Sequence, residues 1–254
     1  MAHCSLAVNV GSFNDPADRQ GMAHFLEHMV FMGSTKYPDV NIYSEHIAEN
    51  GGYCNAYTEF EWTNYFFEVS YAGLEKSLDM IAANMESPCL EKSTMEKEIN
   101  AVESEFKMVQ VNDNARSLQV LQNECSSKDN VFCCFAWGNN DSLRGNGDNE
   151  ALWNQLRKFH AEKYSADRMK LVIQAKTKDN LKELKGWVEK YFGTITNKNF
   201  GPQDFADRSL LSPKQLACGN QPYAGNEHEM LFAQSYQDTN ILDLTWTIKA
   251  DKPR

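Results

Sequence analysis

The sequence predicts an α+β fold, a mixed or antiparallel sheet with helices packed on it. Three observations carry this. Apolar residues recur at helical spacing in separate segments, as in Leu74, Leu78, Ile81, Ala82 and Met85. Two neighbouring stretches, Tyr53–Thr58 and Thr63–Ser70, are rich in aromatic and β-branched residues and are joined through Glu59-Phe60-Glu61-Trp62. Behind them the pattern runs helix, strand, helix. Leu152, Leu156 and Phe159 form one stripe, Met169–Ala175 is an apolar strand, and Leu181, Leu184, Trp187, Val188 and Tyr191 form a second stripe that stops at Gly193.

In chain order, Ser5–Val10 reads as a strand ending at Gly11, and Asn14-Asp15-Pro16 is turn chemistry. Residues 21–33 read as a helix, with Asp18 as N-cap and Gly33 as the left-handed stop. A second helix spans about 40–50 and ends at Asn50-Gly51-Gly52; its His46 suits a surface or interhelical position. The Leu74–Met85 helix ends before Pro88. Ser93-x-x-Glu96 reads as a capping box, opening a helix with Ile99, Val102 and Phe106 as its apolar line and extending toward Asn123. Residues 126–150 read as a surface loop, and 197–213 as a linker rich in Asn, Pro, Gly and Asp. Ile241–Ile248 alternates as a strand does.

Composition narrows the function classes. Hydrophobic residues make up 42% and charged residues 24% of the 254, an ordinary globular balance. The net charge of −10 argues against nucleic acid or an anionic membrane as the main partner, since both attract basic surfaces. No apolar run has transmembrane length, and the first ten residues lack the basic region and apolar core of a signal peptide. The seven cysteines are odd in number and include no C-x-x-C, so reduced thiols in a cytoplasmic protein are expected. Cys133-Cys134 is either a vicinal redox or metal pair or a plain pair of loop cysteines.

The chemistry concentrates in His24-x-x-Glu27-His28. On a helix, positions i, i+3 and i+4 share one face, so two imidazoles and a carboxylate point the same way. Two neutral imidazoles at that spacing can grip one zinc ion, and a neighbouring carboxylate can take a proton from water as general base. The alternative is an amphipathic helix with polar residues grouped by chance. Downstream, Glu98 and Glu105 are seven apart, two helical turns, and share a face. Glu105 can supply a third zinc ligand and Glu98 can orient a ligand imidazole. Glu-rich helices are also common as solvated faces.

The two segments together resemble the inverted zinc-peptidase family that includes insulysin, nardilysin and pitrilysin. Glu105 follows His24 by 81 positions, which fits the larger, insulysin-type members. Phe31-Met-Gly-Ser-Thr-Lys-Tyr-Pro38, Gly51-Gly-Tyr-Cys-Asn55-Ala-Tyr-Thr58, Thr63-Asn-Tyr-Phe-Phe-Glu-Val69 and Asn100-Ala-Val-Glu-Ser-Glu105 are similar to insulysin and nardilysin text, and Trp137-Gly138-Asn139 is closer to nardilysin. The resemblance implies a half-barrel unit, with a zinc-binding catalytic domain over 1–205, before which family members carry at least one further strand. Residues 206–254 would then be a linker and the truncated start of a second homologous domain. It implies one Zn2+ held by His24, His28 and Glu105, Glu27 as general base and Glu98 as supporting carboxylate. Short peptides are the implied substrates, and a C-terminal half or partner subunit the implied partner. Asn55, Ala56 and Thr58 would lie on the edge strand that receives substrate by β-augmentation, their side chains either touching it or serving as ordinary strand residues. Two other readings stand beside this one. The first is a non-catalytic or incomplete family member. The second is the mitochondrial processing branch, for which an Arg-rich presequence would be expected and is not seen.

Overall fold

The computed structural model describes residues 1–125, 130–145, 149–176, 181–201, 203 and 235–236. They fall into two compact units, residues 1–102 with 136–203 and residues 103–135 with 204–254. The expected strand at 241–248 lies outside the described residues, as do most of the linker and parts of the 126–150 segment.

The first unit is built on a four-stranded antiparallel sheet of β1 (Ala2–Val8), β2 (Tyr53–Thr58), β3 (Thr63–Val69) and β4 (Met169–Gln174), in the order β2-β3-β1-β4. The register explains the alternation in the sequence. Ala56, Tyr65, Leu6 and Leu171 form one row across the sheet, and Cys54, Phe67, Cys4 and Ile173 the next. Successive strand residues face opposite sides, so these rows line the core while Tyr53, Asn55 and Tyr57 face out.

Against the core face pack α1 (Met22–Val30), α2 (Ile42–Glu49), α3 (Tyr71–Glu86), the start of α4 (Lys92–Val109), α7 (Asn149–Lys163) and α8 (Lys182–Tyr191). Their stripes are the ones the periodicity picks out. Leu74, Leu78, Leu152 and Leu156 are fully buried. His46 is buried between helices, its Nε2 3.1 Å from the Gly73 carbonyl. Among the described residues no helix is long and apolar enough to cross a membrane.

Three local expectations change. The α1 cap is not Asp18, whose carboxylate instead accepts from Gln155. Asp15 does the capping: its two oxygens accept from the Gly21 and Ala23 amides at 2.7 and 2.8 Å. The Asp-Pro turn brings this carboxylate back onto the helix end, where free N–H groups attract it. Next, α4 begins at Lys92, so Ser93 sits inside its first turn rather than at the cap, and Glu96 is paired with Arg144. Finally, part of the 126–150 segment is ordered as α6 (Asn140–Arg144), whose N-cap Asn139 accepts from the Ser142 amide at 2.8 Å.

The second unit holds the end of α4 and α5 (Asp113–Cys125). The helix expected to continue toward Asn123 breaks at 110–112, because the Asn112 side chain caps a new helix through the Asn114 and Ala115 amides. Phe106 packs edge-on to Phe135, and Gln122 donates to the Phe132 carbonyl at 3.0 Å.

Candidate metal centre

Helix α1 sets the site. Met22, Ala23, Phe25, Leu26, Met29 and Val30 are buried in the core, which turns His24, Glu27 and His28 to the opposite side. The two imidazole rings sit edge to face with centroids 5.0 Å apart. Asp15 anchors the helix start from a buried position. Burial pushes its pKa up to about 7, against the lowering effect of the Ala23 and Gly21 amides and of the nearby His24.

Each imidazole has its Nδ1 engaged. His24 Nδ1 lies 2.6 Å from the Trp137 carbonyl oxygen. A carbonyl only accepts, so Nδ1 carries a proton. His28 Nδ1 lies 3.3 Å from Glu98 Oε2, with Glu98 almost fully buried. An ionised carboxylate also only accepts, so His28 Nδ1 carries a proton as well.

The Trp137 contact comes from the segment read as a surface loop. Its backbone packs directly on the start of α1: a Cβ on Gly21 would lie 2.1 Å from the Gly138 Cα. Both glycines have positive φ, +89° and +70°, so the close approach and the backbone shape each require glycine. Ser142 Oγ donates to the Gln20 carbonyl at 2.8 Å, and Arg19 donates to the Leu143 carbonyl at 2.5 Å. Sequence reasoning missed this clamp. The only local signal was the glycine at 138.

Glu27 is buried, and its Oε2 accepts from the Thr58 hydroxyl at 2.5 Å. Thr58 ends β2 with its side chain on the inner face; Ala56 shares that face, and Asn55 points the other way, its Oδ1 accepting from the Ala56 amide. The three residues expected at the substrate edge therefore do not present one surface, although β2 is an outer strand of the sheet.

His24 and His28 share one face of α1 in the first unit, and Glu105 lies on α4 where that helix enters the second. Helix α4 runs unbroken from Glu98 to Glu105, two turns on the same face. Two imidazoles and one carboxylate form a donor set that suits zinc.

Comparison with known proteins identifies the family. The model described as insulinase, peptidase family M16, matches residues 1–132, more than half of the chain. The chain belongs to the insulinase family of peptidases. A second model of the family, the peptidase M16 inactive domain, matches residues 153–237. A nardilysin-like protein of Arabidopsis thaliana is 39% identical over 248 residues, which is 97% of this chain and 23% of that protein. The insulin-degrading enzyme of Homo sapiens is 36% identical over 205 residues, 80% of this chain and 20% of that enzyme. The crystal structure of pitrilysin superposes with a TM-score of 0.75 at 33% identity, covering 80% of this chain and 21% of that one, and the fold is pitrilysin-like. The chain thus spans about a fifth of the length of the relatives it matches.

Proposed function

We propose that this chain carries the zinc-binding, catalytic part of a metalloendopeptidase of the insulinase family. The observation that carries the proposal is the pair of α1 imidazoles on one helix face, each with its Nδ1 held against an oxygen acceptor. His24, His28 and Glu105 would hold the ion, with Glu98 fixing the His28 ring. When bound, zinc supplies a Lewis acid that polarises a peptide carbonyl and makes water easier to deprotonate.

The chain's own residues do the rest. Glu27 takes a proton from the attacking water and returns it to the leaving amine, so it cycles between carboxylate and acid. One of its oxygens, Oε2, is held by Thr58. A peptide is recognised through its backbone at the outer edge of β2, which tolerates many sequences. The likeness to nardilysin-like and insulin-degrading proteins supports peptides as the substrates.

Coverage of only a fifth of those relatives favours a second form of the same reading, in which the zinc-binding part works only with a further polypeptide half. The test is metal content and peptide hydrolysis measured on one preparation of the chain, with and without a family C-terminal half, beside the Glu27→Gln variant. The expected result is stoichiometric zinc in both proteins, and hydrolysis that falls about 10²–10⁴-fold in the variant. A chain that binds no zinc overturns the proposal, and near-normal hydrolysis in the variant removes Glu27 as the base.

A further inference from the structure

We infer that Thr58 is a positioning residue for Glu27 and not a substrate contact, an inference that rests on the peptidase reading above. The geometry is a short hydrogen bond to the carboxylate with a second hydroxyl packed behind it. Thr58 Oγ1 donates to Glu27 Oε2 at 2.5 Å. Thr63 Oγ1 sits 3.2 Å behind Thr58 Oγ1, and itself donates to the Val10 carbonyl at 2.9 Å. Thr58 and Thr63 are direct cross-strand partners in the β2–β3 register, and Thr63 is fully buried. Behind them, the buried hydroxyls of Tyr65 and Tyr164 lie 2.7 Å apart.

Proton counting gives the assignment. A threonine hydroxyl has one proton to donate. Thr63 commits its proton to Val10, so it cannot donate to Thr58. Thr58 commits its own proton to Glu27, so it has none left for a peptide carbonyl. Its β-branched side chain has restricted χ1 freedom, and the strand holds its backbone. Glu27 is on a helix and Thr58 on a strand, so the bond ties the base to the sheet that presents substrate. With Oε2 held, the carboxylate keeps one orientation.

The notion is tested in two independent ways. The first needs neither metal nor activity. In the chain as it stands, the Thr58 hydroxyl proton should appear by NMR in slow exchange and shifted downfield, and should be lost in Glu27→Ala. A hydroxyl proton that exchanges rapidly in the wild-type chain, or one unaffected by Glu27→Ala, overturns the inference. The second is kinetic. Thr58→Val should lower kcat by about tenfold to a hundredfold, the cost of one hydrogen bond to a charged group, with KM and zinc content unchanged. Thr58→Ser, which keeps the donor, should restore most of the loss. A raised KM at unchanged kcat would make Thr58 a substrate contact and overturn the assignment. If the wild-type chain hydrolyses no peptide in any pairing, the peptidase reading has failed, and the NMR result still decides the Thr58–Glu27 bond.

Discussion

His24 Nδ1 and the carbonyl oxygen of Trp137 lie 2.6 Å apart across 113 positions of sequence. A backbone group thus sets the tautomer of a candidate ligand, and that group is held by a glycine pair, Gly21 and Gly138, with no room for a Cβ between them.

Gly138→Ala should therefore act on the metal as well as on the fold. Its φ of +70° costs a non-glycine residue about 1–2 kcal/mol, and the new Cβ would lie 3.0 Å from the Gly21 Cα. Displacing the Trp137 carbonyl should weaken zinc binding by about 10–100-fold, the usual effect of losing an outer partner of a ligand. Chelator competition and a thermal melt on the same sample check both parts. Unchanged zinc affinity with a lowered melting temperature would show that the clamp serves stability alone.

Glu105→Ala should lower zinc affinity far more than Glu103→Ala. Glu103 is two positions back, about 200° around the helix, and pairs with Lys107 at 3.2 Å. Metal titration of the two variants measures the difference. Equal affinities would move the third ligand elsewhere.

His160 should make the fold acid-sensitive. Burial lowers its pKa from 6.5 to about 4; the Met85 carbonyl and Glu86 oppose the shift, and Lys198 adds to it. Between those values the unfolded chain binds the proton that the folded chain refuses, so stability rises with pH from about 4 to 6.5 and levels off above. The contribution lost on acidification is about 3 kcal/mol. His160→Gln keeps a donor for Met85, whose carbonyl lies 3.0 Å from Nε2, and removes the titration. Denaturant unfolding of both proteins between pH 4 and 7 should show a smaller acid loss in the variant. Parallel curves would show that His160 does not titrate on unfolding.

Much of this protein was legible in its sequence because local chemistry dictates it. Apolar stripes spaced for helices can be buried only as helices, so the α3 and α7 stripes stand where periodicity puts them. The i, i+3, i+4 spacing of His24, Glu27 and His28 places them on one side of α1 under any packing, and the seven-residue step does the same for Glu98 and Glu105. What the sequence could not decide were contacts between residues far apart in the chain. Asp15 displaced Asp18 as the cap because a turn folds back, and spacing rules see only the neighbouring residues. The Trp137 carbonyl is a backbone group, identical in every residue type, so no residue pattern marks it. Thr58 reads as one more strand threonine until β2 is laid beside β3 and against α1; only then does its hydroxyl meet the Glu27 carboxylate, at 2.5 Å. Sequence determined which groups could ligate and titrate; the tertiary structure decided which nitrogen of His24 and His28 and which oxygen of Glu27 a neighbour holds.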